Sequence, residues 1–572
     1  MRRDRWLRWL ALIPALGLIS YGIFQPVSAD TIWLICVWSA APLLGFAAWV
    51  SQPTLPAGLN RSVYNLGIVV LLGFGLLSLQ LLRHQFVRAE AISTHVVIGA
   101  DGSTTSNVRP VLASQRILRG QILDRNGQVL VASEPVNGFA RRTYPLANQY
   151  NPAAFSNVVG FFSRRYGQSG LESTHAADLT GERGSELDRL QDQLLGRQQQ
   201  GNNLTLTLNA DVQAAAFAAL GDRIGSVVVL DPRTGAVIAL ASTPGFDPRG
   251  LAFDPGAPDW AAEDARVDAY WRQILSDGAG QPLLNRTTQG LYPPGSTFKT
   301  LTAVGALEYP AVGQPDAITC PENFRPDPTA PPVVNAVNNL ASLTGDPSSL
   351  ERVYAYSCNT AFAQYAVRLT PERMIEVARR FDIEQPQQAG RTYAEFTDLA
   401  TATSLLYFDP GFLNQPRGLA DTGYGQGQLL VTPLQMALLT AAIANDGVMM
   451  RPYLVQNVTR PNGSTVRQHN PRPIRRTMSA ETARRMREYM HAVGRYGFGS
   501  AVSNFVPGVA VGGKSGTAEH VPGATPHAWF IAVAPIDAPR YAVAVMVERG
   551  GEGSSVGATL AGQVLAAAFA NE

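Results

Sequence analysis

The stretch NRTTQGLYPPGSTFKTLTAVGAL, residues 285–307, decides the reading of this chain. From Thr287 to Leu307 its only charge is Lys299. Pro293, Pro294 and Gly295 cannot continue a helix backwards, so a helix is expected to start close to Ser296. Ser296 and Lys299 are three residues apart, on one helix face, so the Ser296 hydroxyl and the Lys299 amine can approach each other. The helix is apolar, through Phe298, Leu301, Val304 and Leu307, and is expected to be buried. Burial and the positive helix N-terminus both disfavour a charged amine. A neutral lysine can take a serine proton; arginine cannot. The same helix end favours an oxyanion formed when Ser296 attacks a carbonyl. Taken alone, the pair is also what accidental spacing of a common residue gives.

The lysine count sharpens the reading. Of 46 lysine-plus-arginine residues only Lys299 and Lys514 are lysine; the other 44 are arginine. Arginine and lysine are interchangeable as solvated charges but differ where a base or a compact ammonium is needed. Lys514 lies in VGGKSGTAEH (511–520), a Gly-rich, strand-like segment. Small residues on a strand let another backbone approach, here a peptide adding along a sheet edge. Lys514 offers that peptide's carboxylate an ammonium, and Thr517 a hydroxyl and an N–H. An ordinary Gly-rich turn reads the same way in isolation. Between the lysines, YSCNTAFAQYA (356–366) puts Ser357 and Asn359 ahead of an apolar helical run, which by itself is an N-cap pattern.

The remaining composition sets bounds. The chain has 572 residues and a formal net charge of +2, which points to two to four domains and excludes a generally basic nucleic-acid binder. A hydrophobic share of 46% excludes global disorder. Three cysteines, none spaced as a zinc ligand pair, exclude a disulfide-dense scaffold. Three charge-free stretches open the chain, with best membrane spans at 9–26, 32–50 and 64–82. Arg2, Arg3, Arg5 and Arg8 precede the first, and the loop Gln25–Asp30 has no basic residue, so the N-terminus is expected in the cytoplasm and everything after residue 83 outside. A rival reading cleaves the first stretch as a signal peptide after Val27-Ser28-Ala29; it leaves the bulk outside as well.

Beyond the spans, residues 117–133 read as a hairpin about Asn126-Gly127, 185–200 as a helix and 226–242 as a second hairpin. Helices are expected near 350–368, 371–381, 433–445 and 556–570, and strands near 528–535 and 540–548. Residues 308–348, rich in Pro, Asn and Ala, read as a surface loop. The order of elements suggests an α+β fold in which one antiparallel sheet carries helices on both faces.

Ser-x-x-Lys, then Ser-x-Asn, then Lys-Ser-Gly, in that order, resembles the set carried by active-site serine penicillin-recognising enzymes, and both lysines of the chain fall inside it. The chain looks like a class B penicillin-binding protein, a monofunctional peptidoglycan D,D-transpeptidase. RGQILDRNGQVLVAS (119–133) and SGLE (169–172) resemble that family's pedestal; NRTTQGLYPPGSTFKT, YSCNTAFA, GYGQGQLLVTPLQMA (423–437), GGKSGTAEH and HAWFIAVAP (527–535) resemble its catalytic domain.

The resemblance implies a membrane anchor at 1–83, an extracytoplasmic pedestal at 84–203 and a transpeptidase domain at 204–572. It implies Ser296 as acylated nucleophile, Lys299 as base, and Ser357 as proton relay to the leaving D-alanine. Asn359 would hold the donor peptide and Lys299. Lys514 would orient Ser357 and, with Ser515, Gly516 and Thr517, engage the terminal carboxylate. The backbone N–H groups of Ser296 and Thr517 would form the oxyanion hole. Substrates would be stem peptides ending in D-Ala-D-Ala, with β-lactams as covalent inhibitors; no metal, cofactor or nucleic acid is called for. The chain would be a multi-pass protein of the bacterial cytoplasmic membrane with its catalytic domain outside.

Three spans depart from the family's usual one and are candidates for docking a SEDS-family membrane glycan polymerase. Water as acceptor would make a D,D-carboxypeptidase, fast deacylation a β-lactamase, and single acylation with signalling a membrane β-lactam sensor. The pedestal and anchors speak against the β-lactamase, and the short cytoplasmic parts against the sensor. Cys320 and Cys358 are both external, and their pairing would tie the 308–348 loop to the second motif. His520 and His527 are expected to be exposed or structural, since the serine already has a base.

Overall fold

The computed structural model describes residues 6–26, 29–51, 59–88, 96–98, 104–106, 114–182, 198–384, 393 and 395–572. The helix expected at 185–200 and the cleavage site at Val27-Ser28 fall mainly outside these residues. The chain forms two compact units, Met1–Ser114 and Gln115–Glu572.

The first unit holds three apolar helices, α1 (Leu7–Ile23), α2 (Asp30–Val50) and α3 (Leu59–Leu82). They cover the three expected spans with ends shifted by a few residues. α2 and the stretch Arg61–Gln85 are long and apolar enough to cross a membrane; α1 is a shorter apolar helix of 17 residues. Small residues let α1 and α2 pack closely: Ala11, Ala15 and Gly22 on one, Cys36, Ala40 and Ala47 on the other. Just past α3, buried Arg83 bonds the carbonyl oxygens of Gly22 (3.2 Å) and Gln25 (3.3 Å) and pairs with Asp30 at 2.8 Å. One guanidinium thus satisfies the end of α1 and the start of α2 together.

In the second unit, the Asn126-Gly127 turn joins β1 (Ile122–Leu123) to β2 (Val129–Val136), with β3 (Phe139–Thr143) beyond. These strands belong to one six-stranded sheet with β4 (Asn203–Leu206) and two later strands, Val455–Thr459 and Thr465–Gln468. The expected pedestal and catalytic segments therefore share a sheet across residues 203–204. Glu172, fully buried, ties the pedestal together: Arg119 Nε donates to it at 2.6 Å and Arg142 Nε at 2.7 Å. Burial alone would raise the Glu172 carboxyl, but the two guanidiniums hold it below the usual carboxylate range. His175 links pedestal to catalytic segment, with Nδ1 3.1 Å from Asp178 and Nε2 3.0 Å from Asp398.

The catalytic segment is built on a five-stranded antiparallel sheet of β5 (Gly225–Leu230), β6 (Val237–Thr243), β7 (Gly512–Ala518), β8 (His527–Ala534) and β9 (Tyr541–Val547), in spatial order β6-β5-β9-β8-β7. Its residues alternate between two cores. Val228, Ile531, Val533, Ala544 and Met546 face one side, with α5 (Lys299–Glu308) and α7 (Pro433–Ala444). Val227, Phe530, Ala532, Val543 and Val545 face the other, with α4 (Ala210–Leu220) and α8 (Ala558–Ala570). Both faces are covered, as expected, so the strands read as near-continuous apolar runs. This packing also places the apolar stretch Gly553–Ala570, long enough to span a membrane, inside the folded core. The helices expected at 350–368 and 371–381 are instead Leu350–Ala355 and α6 (Asn359–Arg380), which kinks at Thr370-Pro371.

Candidate active site

Ser296 sits on a single 3-10 turn, Gly295–Phe298, and the α-helix proper begins at Lys299. The helix therefore starts three residues later than expected. The cause is local: Pro293 and Pro294 stiffen the approach, and Gly295 takes φ +54°. A Cβ at Gly295 would lie 2.6 Å from the Thr517 carbonyl oxygen, so the turn is pressed directly against β7. Gly425, at φ +91°, packs from the other side; its Cβ would fall 1.8 Å from the Gly295 oxygen. The motif at 423–437 thus props the serine turn by backbone contact. Trp529 Nε1 donates to the Pro293 oxygen at 3.0 Å.

α5 carries Lys299 into the core, where it is fully buried. Its ammonium bonds are directed to the second motif rather than to Ser296: Ser357 O at 2.7 Å, Ser357 Oγ at 3.0 Å and Asn359 Oδ1 at 2.7 Å. Lys514, buried on edge strand β7, approaches the same hydroxyl, with Nζ 2.9 Å from Ser357 Oγ and 2.8 Å from its neighbour's carbonyl, Ser515 O. Ser357 is held at φ +56°, a conformation a non-glycine residue adopts only where its surroundings impose it. It is not the helix cap; Cys358 occupies that position. Burial lowers the Lys299 amine well below its ordinary value, and the charge of Lys514 lowers it further. Burial pushes Lys514 down to about 7.

Ser296, Ser357, Asn359, Ser515 and Thr517 line one cleft of about 730 Å³. β7 is the sheet edge, with Lys514 opposite Ile531 and Thr517 opposite Ala528 on β8, and its other side is open to an added strand. Gly516 passes over the serine turn; a Cβ there would meet the Pro294 oxygen at 2.9 Å. The three motifs, which begin 61 to 218 residues apart in sequence, thus converge on one cleft.

Cys320 and Cys358 form a disulfide, with Cα atoms 6.2 Å apart. The expected surface loop at 308–348 is thereby fastened across the cleft. It contains a short hairpin, Asn323–Phe324 with Val333–Val334, and contributes Val334, Asn335 and Val337 to the lining. Tyr356, Tyr424 and Phe498 add aromatic walls. Nothing in the sequence marks these as site residues; Cys320 is the one pointer to the loop. His527 is buried, stacks on His520 with ring centroids 4.1 Å apart and accepts the Arg549 N–H at 3.1 Å, a structural arrangement.

Residues 225–567 match the family described as penicillin binding protein transpeptidase domain, and 119–204 that described as penicillin binding protein A dimerisation domain. The peptidoglycan D,D-transpeptidase PbpA of Mycolicibacterium smegmatis is 35% identical over 482 residues, covering 82% of this chain and 92% of that one. The peptidoglycan D,D-transpeptidase MrdA of Escherichia coli is 27% identical over 489 residues, 75% of this chain and 71% of that one. Among solved structures, the penicillin G acyl-enzyme complex of penicillin-binding protein A from M. tuberculosis superposes with a TM-score of 0.68 at 31% identity, over 79% of this chain and 99% of that one. With its three motifs on one cleft and 60% of its length inside the transpeptidase match, the chain belongs to the penicillin-binding protein transpeptidase family.

Proposed function

We propose a division of labour among the cleft residues for the reaction of this serine-type D,D-transpeptidase, which cross-links stem peptides during cell-wall synthesis and is acylated by β-lactams. The observation that carries it is the Ser357 hydroxyl shared by two buried lysines, at 3.0 and 2.9 Å. A donor stem peptide ending in D-Ala-D-Ala adds along β7, its terminal carboxylate held by Lys514, Thr517 and the Ser515-Gly516 backbone. Lys299, favoured in its neutral form by burial, gives up one of its present acceptors and takes the Ser296 Oγ proton. Ser296 attacks the penultimate carbonyl, and the N–H groups of Ser296 and Thr517 receive the oxyanion. Collapse breaks the peptide bond, and the departing D-alanine amine takes its proton through Ser357, which Lys299 resupplies. Asn359 holds Lys299 in place and offers its amide to the donor strand. The amine of a neighbouring stem peptide then attacks the acyl-enzyme by the reverse path.

In this reading residues 84–203 are the pedestal and 204–572 the catalytic domain. Helices α1 to α3 anchor the protein in the cytoplasmic membrane with its N-terminus inside and both later domains outside. Arg2, Arg3 and Arg5 ahead of α1, Arg8 in its first turn and the apolar composition of α2 and α3 support this. The extra helices offer a docking face for a SEDS-family glycan polymerase. Incubating the full chain in detergent with a donor stem peptide and an acceptor amine tests the reading by mass spectrometry. Cross-linked product with one D-alanine released per bond is expected, and abolished by Ser296→Ala. Release of D-alanine with hydrolysis alone would make the enzyme a carboxypeptidase.

A further inference from the structure

The segment from Cys320 to Val334 crosses the start of α6, where Ser357 and Asn359 reside, and is stitched to it by more than the disulfide. Asn335 is the clasp. Its Oδ1 accepts the Thr360 N–H at 3.1 Å, and its Nδ2 donates to the Pro321 oxygen at 2.9 Å. Thr360 Oγ1 donates to the same Pro321 oxygen at 2.8 Å. A free N–H in the first turn of a helix is normally met by a Ser, Thr, Asp or Asn at the cap position. Here the cap residue is Cys358, whose sulfur belongs to the disulfide and stands 3.4 Å from the Ala361 N–H. Asn335 supplies from another segment the oxygen that the cap position lacks.

The consequence reaches the base. The Asn359 amide has an oxygen end and a nitrogen end of nearly equal shape. Its Nδ2 donates to the Val334 carbonyl oxygen at 3.0 Å, which leaves Oδ1 for Lys299 at 2.7 Å. A flipped amide would set its NH₂ against the Lys299 ammonium and its oxygen against the Val334 oxygen, two repulsions in place of two bonds. The Val334 carbonyl therefore decides which end faces the lysine, and it belongs to the peptide group leading directly into Asn335. We propose that Asn335 is a positioning residue of the acylation machinery: by clasping the strap to the start of α6, it holds the Val334 carbonyl where it orients Asn359 toward Lys299. Its polar contacts are with Pro321, Thr360 and the disulfide sulfurs rather than with Ser296, Lys299 or Ser357, so it acts on the base through Asn359.

This inference rests on the assignment of Lys299 as base, and its test keeps the two apart. The second-order rate of penicillin acylation is measured against pH for the full chain in detergent, without reductant, for wild type, Asn335→Ala, Asn359→Ala and the double variant. Asn335→Ala is expected to slow acylation on the order of tenfold to a hundredfold, the scale of a small misplacement of a catalytic group. It should also move the acid limb to lower pH, because Lys299 loses an acceptor that favours its charged form. In the Asn359→Ala background the same change should add little, since the two residues act in series. Thr360→Val, which removes the Thr360 hydroxyl's bonds to Pro321 and to the Asn335 amide while keeping the bond from the Thr360 N–H to Asn335, should shift the limb in the same direction by less, and carries the test should Asn335→Ala not fold. An unmoved limb in both variants, or full additivity with Asn359→Ala, overturns the positioning role. Absence of any acid limb in wild type overturns the assignment of Lys299 instead.

Discussion

Lys514 Nζ stands 2.9 Å from Ser357 Oγ, the oxygen that Lys299 Nζ also reaches, at 3.0 Å. Two buried amines on one hydroxyl cannot both be charged without cost, because each charge would leave water and repel the other, and burial disfavours the charged form of each. A hydroxyl placed between them can pass a proton from one side to a leaving amine on the other. Ser357→Ala should therefore cut the rate of penicillin acylation by about 10²–10⁴-fold while leaving thermal unfolding close to wild type. A stopped-flow rate within a factor of a few of wild type would remove Ser357 from the relay.

In the proposed mechanism the two lysines also set the pH range. Lys299 must be neutral to act, so acylation falls as pH drops through its lowered value. Lys514 must be charged to hold a carboxylate, so acylation falls again as pH rises through about 7. The kcat/KM for a carboxylate-bearing donor should be bell-shaped, the two limbs belonging to the coupled pair. A bound carboxylate favours the charged form of Lys514, so the alkaline limb of kcat should lie at higher pH than that of kcat/KM. Coincident alkaline limbs would speak against Lys514 as the carboxylate anchor.

Glu172 makes a prediction about stability alone. It is fully buried between Arg119 and Arg142 in the pedestal. Glu172→Ala leaves two buried guanidiniums uncompensated, a loss of about 3–5 kcal/mol. Chemical denaturation of the full chain should show this loss, while protein that remains folded should still be acylated at Ser296. An unchanged denaturation midpoint would mean that water reaches the two arginines.

His175 gives a stability that depends on pH in a stated direction. Burial lowers its affinity for a proton, but its bonds to Asp178 and Asp398 outweigh this and raise its value above 6.5. A raised value in the folded state means that the charged clamp contributes fully below the unfolded value and is lost as pH rises through the folded one. The two carboxylates have further partners: Arg467 pairs with Asp178 at 3.0 Å, and Asp398 accepts the Leu454 and Val455 N–H groups at 2.6 and 3.1 Å. Melting temperature should therefore fall more steeply for wild type than for His175→Gln between pH 6 and pH 8. Parallel curves would mean that His175 keeps one charge state throughout.

Much of this was legible in the residues. The strands at 225–243 and 527–547 are apolar runs bounded by turns, and their double-sided burial follows from that pattern. Lys299 and Lys514 stood out because no other lysine competes with them among 44 arginines. Two things were out of reach. Spacing places Ser296 and Lys299 on one face, but it says nothing of Ser357, 58 residues beyond Lys299, which takes two of the Lys299 bonds. Residues 320–335 carry no periodicity, so nothing local distinguishes a strap over a cleft from a solvated loop. Asn335 earns its position from the start of α6, a tertiary neighbour.

The most direct test is the intact mass of the full chain after exposure to penicillin, for wild type and Ser296→Ala. A single covalent adduct that persists for hours on wild type and is absent from the variant is the predicted result. An adduct that survives in Ser296→Ala, or wild-type protein that returns unmodified with hydrolysed drug, would contradict the assignment of Ser296 as the nucleophile of a slowly deacylating transpeptidase.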